Sequence, residues 1–376
     1  MKLVLGMGKS SRAVIDYFNK KGVTYKVVEN LDQDPNLDAI TTVVKSPGIP
    51  MFHPWIVEAK KQNIKIITEI DLALAELKHK TLIAVTGSNG KTTTVLAIVH
   101  VLASRAVAGG NIGVPLLTLI DHPAEIIVVE LSSFQLECID IKPIFHAATI
   151  LNLTPNHLDH HLTMEEYRRA KERLKECILP TGLFLSEKDI EEFTKTEYRN
   201  GLVVHDRANF AAAFALCQTV GVKRDVFEQQ ISSFKKPPHR IESIGVVNGV
   251  EYINDSKATS VDAVKKAVAA MTKPVILIAG GVDKGGSFHE WSPLFSGKVK
   301  KIFAIGRAAN RIENELGREF QVEIEATLEK ALEKASCQAK VGECILLSPG
   351  CSSFDAFESF EHRGDAFREY VMRRKL

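Results

Sequence analysis

The residues with the clearest chemical potential lie in a short glycine turn at 87–93 (GSNGKTT), which holds one lysine and two threonines. An apolar run precedes this turn at 82–85, and apolar residues at helical spacing follow it at 95–102. The order predicts a strand, a loop and a helix, and the unpaired N–H groups at the helix start favour a phosphate chain. Lys91 is then placed to reach the terminal phosphates, and the Thr92 hydroxyl to bind Mg²⁺.

The turn is shorter than the usual phosphate-binding loop, because Val85 stands where that loop has its first glycine. A plain glycine turn with an incidental lysine is therefore an alternative interpretation. The strand–loop–helix context nevertheless favours nucleotide binding. The residues expected to bind the nucleotide phosphates are Gly87, Ser88, Asn89, Gly90, Lys91, Thr92 and Thr93.

Further polar residues follow predicted strands in the same part of the chain. Glu130 ends the apolar strand predicted at 125–129, where a carboxylate is a common Mg²⁺ ligand, although it also suits the start of a helix. His157 opens a cluster of three histidines and one aspartate at 157–161, which either binds a metal or is simply solvated. The helix predicted after this cluster carries Lys171 on a basic surface.

The first 72 residues predict a small β-α-β unit. Gly6 and Gly8 occupy two of the three glycine places of a dinucleotide-binding turn, and Ser11 holds the third. Residues 46–50 (SPGIP) form a rigid turn after the strand predicted at 41–44, at the sheet edge where open α/β sheets bind ligands. The pattern fits either a tight strand-to-helix turn or a site for a diphosphate-bearing nucleotide, which need not be NAD.

Strands and helices also alternate after residue 250, which predicts a parallel sheet with helices on both faces. Polar clusters follow three of the predicted strands, at 254–259, 280–285 and 348–354. Upstream, residues 183–204 are typical of small strands and turns, and the prolines in 234–240 indicate a linker.

Composition excludes several classes of protein. The 376 residues suffice for two or three domains, and the balance of 45% hydrophobic and 25% charged residues is typical of a globular protein. The net charge of +2 gives no electrostatic reason to expect nucleic-acid or membrane binding. The chain shows no secretory leader, no membrane-spanning apolar run and no C-x-x-C pair among its six cysteines. We therefore expect a cytoplasmic protein without disulfides or a zinc site.

Eight stretches, taken together, resemble the Mur ligases, the ATP-dependent enzymes that add amino acids to peptidoglycan precursors. They occur in the order of the family and cover nearly the whole chain. Within the family, 130–137 and 254–259 are most similar to the member that adds D-glutamate. The stretches are 85–93 (VTGSNGKTT), 110–113 (GNIG), 130–137 (ELSSFQLE), 150–159 (ILNLTPNHLD), 167–171 (YRRAK), 239–240 (HR), 254–259 (NDSKAT) and 348–353 (SPGCSS).

The resemblance implies an α/β fold of three domains. These are a small Rossmann-like UDP-substrate-binding domain at 1–72, a central P-loop ATPase-like ATP-binding domain at 73–236, and a Rossmann-like amino-acid-binding domain at 237–376. It also implies a monomeric ligase that uses ATP, two Mg²⁺ ions and a lysine carbamylated by CO₂. The implied substrates are UDP-N-acetylmuramoyl-L-alanine and D-glutamate, which react through an acyl phosphate.

The resemblance further implies roles for individual residues. Catalytic roles fall to Lys91, His157 and Lys171, the last as the carbamate. The metal ligands are Thr92, Glu130, His157 and Lys171. Beyond the phosphate-binding turn, ATP contacts fall to Asp206, Asn209, Arg240 and Asp255. Substrate contacts fall to Gly6, Gly8, Ser10, Ser11, Ser46, Pro47, Gly48, Asn111, Lys257, Thr259, Ser353 and Phe354.

Three other interpretations stay open at the level of sequence. A folylpolyglutamate synthase-like or other ligase of the same superfamily would keep the phosphate-binding turn and Lys171 but change the acceptor site. A non-catalytic nucleotide-binding regulator would keep the fold, although the joint presence of Lys91, Glu130, His157 and Lys171 argues against it. An NAD oxidoreductase built on residues 1–72 is disfavoured by the small size of that unit and its missing third glycine.

Overall fold

The computed structural model describes residues 1–32, 35–196 and 207–375. The chain forms two compact units, of which the first contains Met1–Leu153 and Glu165–Phe234 and the second contains Thr154–Met164 and Lys235–Leu376. The described residues form three sheets of four, five and six strands, and the predicted α/β class is confirmed.

The bounds of the elements place every candidate residue. The strands are β1 (Lys2–Leu5), β2 (Tyr25–Val28), β3 (Thr42–Lys45), β4 (Lys65–Ile67), β5 (Thr81–Thr86), β6 (Ala106–Gly110), β7 (Ile126–Glu130), β8 (Phe145–Ile150), β9 (Ile178–Leu185), β10 (Glu242–Val247), β11 (Val250–Asn254), β12 (Val275–Gly280), β13 (Val299–Ile305), β14 (Val322–Glu325) and β15 (Cys344–Leu347). The α-helices are α1 (Lys9–Lys21), α2 (Pro54–Lys61), α3 (Glu69–Glu76), α4 (Lys91–Leu102), α5 (Ser133–Leu136), α6 (Leu158–His161), α7 (Met164–Glu172), α8 (Glu187–Thr196), α9 (Arg207–Gln218), α10 (Arg224–Ile231), α11 (Val261–Ala270), α12 (Ser292–Phe295), α13 (Ala309–Leu316), α14 (Leu328–Gln338) and α15 (Phe360–Arg373). Within the described ranges, no helix combines the length and apolar character needed to cross a membrane.

The first sheet has the order β2-β1-β3-β4, and all its strands are parallel. Val4 on β1 and Val43 on β3 are completely buried, as expected for parallel strands with helices on both faces. From β1 the chain passes first to β2 on one side and then to β3 on the other. The carboxyl ends of β1 and β3 therefore border the crevice in which such sheets bind ligands.

The second sheet has the order β6-β7-β5-β8-β9 and is also parallel throughout. Because β5 lies between β7 and β8, the residues that follow these three strands meet at one edge. In this register Val85 lies opposite Glu130, and Thr86 lies opposite Ile150. Buried side chains of α4 and α9 pack in one core against this sheet, which fixes the helix that follows the glycine turn.

The third sheet has the order β10-β11-β15-β12-β13-β14 and is mixed rather than wholly parallel. The strands after residue 250 pair in parallel as predicted, whereas β10, which was not predicted, pairs antiparallel with β11 at the edge. Asn248 and Gly249 join the two strands, and both have positive φ angles (50° and 77°). Asn-Gly is the pair that a two-residue hairpin turn favours, so the local signal was present in the sequence.

The prediction of small strands and turns at 183–204 was wrong within the described residues, because β9 continues to Leu185 and α8 follows. Ser186 and Asp189 form a capping box: the Asp189 carboxylate accepts hydrogen bonds from the Ser186 N–H (2.7 Å) and hydroxyl (2.6 Å). Ile190 is buried behind this cap, which gives the helix an apolar anchor. The part of the prediction at 197–204 lies outside the described residues.

The predicted domain boundaries at 72 and 236 stay predictions. The first of them falls inside α3, and two carboxylates of α3 hydrogen-bond to the second sheet region. The Glu69 carboxylate accepts from the Leu117 N–H at 2.6 Å, and the Asp71 carboxylate accepts from the Asp140 N–H at 2.7 Å. The first and second sheets accordingly belong to one compact unit.

Candidate active site

The glycine turn at 87–93, hereafter the phosphate loop, links β5 to α4 in the conformation that the sequence predicts. Gly87 and Gly90 have φ angles of 150° and 86°, which side chains rarely adopt. A Cβ at Gly90 would also overlap the carboxamide of Asn209 on α9. The structure therefore brings Asn209, a predicted nucleotide contact, against the loop, and α4 begins directly at Lys91.

Two residues outside the loop hold its backbone. Asn152, which follows β8, accepts from the Asn89 N–H at 2.9 Å through its side chain and donates back to the Asn89 carbonyl at 3.0 Å. Its own carbonyl accepts from the Ser88 N–H at 2.9 Å. On the other side, the buried Tyr167 hydroxyl shares a hydrogen bond of 2.9 Å with the Ser88 hydroxyl. Burial raises the pKa of Tyr167 to about 12, so this hydroxyl stays protonated at neutral pH.

The side chain of Lys91, the first residue of α4, folds back over the phosphate loop. Its ammonium donates to the carbonyl oxygens of Gly87 at 2.7 Å and Ser88 at 3.1 Å. Thr92 is half-buried in the first turn of α4, and Thr93 beside it is buried. The positive charge of Lys91 and the N-terminus of α4 thus lie together, which is the arrangement that a phosphate group requires.

Glu130 ends β7 and is only 2% exposed. One carboxylate oxygen, Oε1, accepts from the Asn111 side-chain amide at 2.8 Å. The other, Oε2, is buried and has no hydrogen-bond partner within the described part of the chain. A buried carboxylate oxygen without a donor is costly unless a cation satisfies it. Because oxygen ligands are those that Mg²⁺ prefers, Glu130 fits a metal ligand.

Lys171 is fully buried on α7, beneath the same edge of the sheet. Its ammonium donates to the Thr86 hydroxyl at 3.1 Å and lies 5.0 Å from the centre of the Tyr167 ring. Burial, reinforced by the charge of Lys91, holds the pKa of Lys171 well below its usual range, although the Glu130 carboxylate acts in the opposite direction. Burial therefore favours the neutral form of Lys171 more than it would for a surface lysine.

The predicted nucleotide-sugar contacts in the first sheet also come together. The hydroxyls of Ser11 on α1 and Ser46 after β3 are 3.0 Å apart. Gly6 after β1 has a φ of 86°, and a Cβ there would press against Ser46. Gly8 caps the start of α1, which also carries Ser10, and Pro47 and Gly48 continue the turn from Ser46. These residues line the carboxyl ends of β1 and β3, where the topology favours a ligand.

A buried ion pair connects this turn to the second sheet region. Lys45, at the end of β3, is fully buried and donates to the carbonyl of Ile49 at 2.6 Å and more weakly to that of Pro47 at 3.4 Å. It also donates to the carboxylate of Glu137, beyond α5, at 2.9 Å. Buried pairs of this kind gain little net stability but strongly constrain geometry. Lys45 thus sets the position of the turn at 46–49.

We expect Lys45→Met to lower the free energy of unfolding by about 3 kcal/mol, because it leaves a buried carboxylate beside an apolar side chain. The KM for the nucleotide-sugar substrate that the resemblance implies should rise, while the KM for ATP should stay unchanged. Lys61→Met is the control, since Lys61 forms an exposed pair with Glu58 that contributes at most about 1 kcal/mol. Denaturant unfolding and initial rates test both variants, and equal effects of the two would contradict this account.

In the second unit, Asp255 follows β11 and is buried. Its carboxylate accepts from the Ser348 hydroxyl at 2.8 Å and from the Ile241 N–H at 3.2 Å. Burial raises the pKa of Asp255 to about 7, despite these hydrogen bonds and the nearby cation of Arg240, which lower it. The structure thus brings Asp255 and Arg240, two predicted ATP contacts, into one electrostatic neighbourhood.

Asp255→Asn should change how stability depends on pH. An acid whose pKa is raised from about 4 to about 7 on folding stabilises the protein below pH 4, and that stability is lost as the pH rises through 7. The variant lacks this dependence, so its stability relative to the unmodified protein should improve by about 1.4 kcal/mol per pH unit between pH 4 and 7. Denaturant unfolding at several pH values measures the difference, and a constant difference would contradict the raised pKa.

The predicted amino-acid contacts follow β11 and β15 in the second unit. The Lys257 ammonium lies 3.7 Å from the centre of the Phe360 ring, and the Thr259 hydroxyl accepts from Lys284 at 3.3 Å. Ser353 is buried. Phe354 is 75% exposed, and its predicted substrate contact is untested. Lys257, Thr259 and Ser353 thus lie on loops at the carboxyl edge of the third sheet.

The remaining predicted residues are less closely joined to these clusters. His157 belongs to the second unit, has a φ of 57° and caps the start of α6. Asp206 lies outside the described residues. Sequence reasoning missed several residues that contact the candidate site residues. These are Thr86, Asn152 and Phe360. Only Asn152, which immediately follows a predicted strand at a sheet edge, had a local signal that could have identified it.

Comparison with known families and proteins identifies the chain's relatives. A family model described as the Mur ligase middle domain matches residues 85–245, and one described as the Mur ligase, glutamate ligase domain, matches 239–351. A UDP-N-acetylmuramoylalanine–D-glutamate ligase of Protochlamydia amoebophila is 36% identical over 433 aligned positions, covering 98% of this chain and 97% of the relative. The protein of the same name from Chlamydia caviae is 38% identical over 411 positions, with the same coverage.

A solved structure shares the fold. The MurF ligase of Thermotoga maritima, in complex with ADP, superposes with a TM-score of 0.63 and 18% identity, covering 99% of this chain and 95% of that one. The alignments with the two sequence relatives are longer than the 376 residues of this chain, so those relatives carry residues that have no counterpart here. The predicted resemblance is confirmed along nearly the whole chain. The chain belongs to the Mur ligase family.

Proposed function

We propose that the chain joins D-glutamate to UDP-N-acetylmuramoyl-L-alanine by an ATP-dependent amide ligation in peptidoglycan precursor synthesis. The observation that carries the proposal is the convergence of Lys91, Glu130 and Lys171 at one edge of the second sheet, beside the phosphate loop. The names of relatives that are 36% and 38% identical over nearly their full lengths support the two substrates.

The proposed reaction has two steps. The carboxylate of the nucleotide-sugar substrate attacks the γ-phosphorus of ATP, so that an acyl phosphate forms and ADP leaves. The amine of D-glutamate then attacks the acyl carbon, the amide bond forms, and phosphate and a proton leave. Two anions meet in the first step, so preorganised positive charge must be the main contribution of the protein.

The residues of the phosphate loop provide that charge. Lys91 and the N–H groups at the start of α4 hold the phosphate chain, and Asn152 and Tyr167 keep the loop in shape. Thr92, Glu130 and His157 would hold Mg²⁺, which neutralises phosphate charge and orients the reacting oxygens when bound. Asn111 orients Glu130 through the hydrogen bond to Oε1 and contacts the substrate in this proposal. Asp206, Asn209, Arg240 and Asp255 contact the rest of the nucleotide.

Lys171 acts as a carbamate in this proposal. A neutral amine adds CO₂ to form an N-carboxylate and releases one proton, and the lowered pKa of Lys171 makes the neutral amine available. The modification places a negative charge next to the cation of Lys91, which stabilises the carbamate. The carbamate oxygens would then join Glu130 as ligands for Mg²⁺.

The two substrates bind to different units. The crevice between β1 and β3, with Gly6, Ser11 and Ser46, holds the UDP end of the precursor. The loops that carry Lys257, Thr259 and Ser353 hold D-glutamate, with Phe354 as a further proposed contact. This assignment gives residues 1–72, 73–236 and 237–376 the roles of precursor, ATP and amino-acid domains. The protein acts as a cytoplasmic monomer in this proposal, and sedimentation at micromolar concentration tests the oligomeric state.

Phosphate release from ATP tests the proposed function. The assay contains UDP-N-acetylmuramoyl-L-alanine, and D-glutamate, L-glutamate, L-lysine or diaminopimelate is added one at a time. We expect release to require D-glutamate and to be matched by the amide product. Release with another amino acid would support an amide ligase with a different amino-acid specificity. Absence of release with all four would favour a non-catalytic nucleotide-binding regulator.

A further inference from the structure

Arg363, near the start of α15 in the second unit, is a charged residue that is buried from solvent. It is 1% exposed and is among the largest fully buried side chains. Its Nε donates to the Ser256 hydroxyl at 2.9 Å, and its Nη2 donates to the carbonyls of Ser256 at 2.8 Å and Cys351 at 3.2 Å. Nη1 makes a longer contact of 3.5 Å with the carbonyl of Gly280. The guanidinium thus uses donors on all three of its nitrogens.

The acceptors of Arg363 come from three different chain segments. Ser256 follows β11, Gly280 ends β12 and Cys351 follows β15. These strands are consecutive in the third sheet, in the order β11-β15-β12. A single side chain therefore ties together the three loops at the sheet edge that holds the proposed amino-acid site.

The charge of Arg363 has no hydrogen-bonded carboxylate partner in the described part of the chain, because each of its acceptors is a neutral oxygen. The carboxylates of Asp355 and Asp255 act on its charge from a distance and favour the protonated form. Burial lowers the pKa of Arg363 to about 10, so the group stays charged at neutral pH. A buried cation held by neutral oxygens projects a positive potential into its surroundings, since low dielectric screens it weakly.

The path from Arg363 to the site is short. The Ser256 hydroxyl, which accepts from Arg363, donates to the Phe360 carbonyl at 2.8 Å. The Phe360 ring lies against the Lys257 ammonium, 3.7 Å from the ring centre. Arg363 thus fixes the residue directly before Lys257 and the ring on which Lys257 rests.

We propose that Arg363 is a positioning residue whose buried charge makes the amino-acid site prefer an acidic side chain over its neutral amide. The inference rests on the proposed function and deepens it, because D-glutamate and D-glutamine have nearly the same shape and differ by one charge. The proposal assigns part of this discrimination to a residue that does not touch the amino acid. Arg363 acts through the loops after β11, β12 and β15 and through its field.

Kinetics of the full-length protein test the proposal. For each variant, the ratio of the inhibition constant of D-glutamine to the KM of D-glutamate measures the preference for charge. We expect Arg363→Met to reduce this ratio by about 10-fold, the effect of losing roughly 1.4 kcal/mol of charge interaction. Arg363→Lys should keep most of the ratio because it retains the charge.

A second variant, which removes a negative rather than a positive charge, tests the proposal if Arg363→Met fails to fold. Asp355→Asn removes a negative charge that offsets the field of Arg363 and should lower the KM for D-glutamate two- to threefold. An unchanged ratio in a folded Arg363→Met variant would overturn the proposal. If that variant does not fold, an unchanged or raised KM in Asp355→Asn would overturn it. Failure of the proposed function itself would look different, since the unmodified protein would then release no phosphate with D-glutamate.

Discussion

Lys171→Ala is expected to abolish the ligase activity, with a loss of at least about 1,000-fold in kcat. The variant removes the amine that becomes the proposed carbamate, and with it the anion that would join Glu130 as a metal ligand. Steady-state phosphate release measures the loss. Added short-chain carboxylates should restore part of the activity, because they can occupy the space that the side chain leaves. ¹³C NMR of protein exchanged into labelled bicarbonate should show a carbamate signal that the variant lacks.

Lys175→Ala is the matched control, since Lys175 is an exposed lysine on the turn that follows α7. It should leave kcat within about twofold of the unmodified protein, as is usual for a solvated surface residue. Full activity in Lys171→Ala would contradict any catalytic role of the residue. Lost activity without rescue and without a labelled carbamate in the unmodified protein would instead point to the unmodified amine.

Glu130→Gln is expected to reduce kcat by about 100-fold and to raise the Mg²⁺ concentration needed for half-maximal activity. Glutamine has the same shape, but it replaces the buried Oε2, the oxygen without a donor, and removes the negative charge. The loss of that charge also disfavours the protonated form of Lys171 further, because the carboxylate is the group that raises the pKa of the lysine. Activity measured as a function of Mg²⁺ concentration separates the metal effect from simple unfolding.

Glu125→Gln, at an exposed position just before β7, is the control for Glu130→Gln. Its Mg²⁺ dependence should match that of the unmodified protein, since its nearest cationic partner is Arg105 at 3.9 Å on the surface. Identical Mg²⁺ curves for Glu130→Gln and the unmodified protein would exclude Glu130 as a metal ligand.

Local signals in the sequence predicted the phosphate loop well, because its function depends on backbone conformation. Gly87 and Gly90 have the positive φ angles that a glycine turn implies, and α4 begins at the lysine. The central strands of the three sheets were predictable for a similar reason, since buried parallel strands are short apolar runs. The edge strands β4, β6, β10 and β14 were not predicted. In β10 the half-exposed residues carry no such run.

The character of side chains depends on tertiary burial, which local patterns do not encode. Lys171 belongs to a segment that reads as basic helix surface, yet the residue is buried and its pKa is lowered. Only the resemblance to a family indicated its importance. Arg363 lies in a polar helix start, and its burial follows from contacts with residues up to 107 positions away. Contacts of such long range are set by topology, so residue types and spacing alone cannot reveal them.

The division of the chain has a consequence for the order in which the protein is made. The segment Thr154–Met164 leaves the ribosome well before Lys235, yet it belongs to the same compact unit as the C-terminal sheet. Its Thr154 hydroxyl hydrogen-bonds the Asp262 carboxylate at 3.3 Å, and Asn156 lines a small cavity with Ser260 and Phe288. During synthesis, this segment therefore leaves the ribosome before the residues that it contacts have been translated. A fragment that starts at residue 237, within the predicted linker, would lack this segment. The second compact unit therefore cannot be obtained intact by a single cut in the chain.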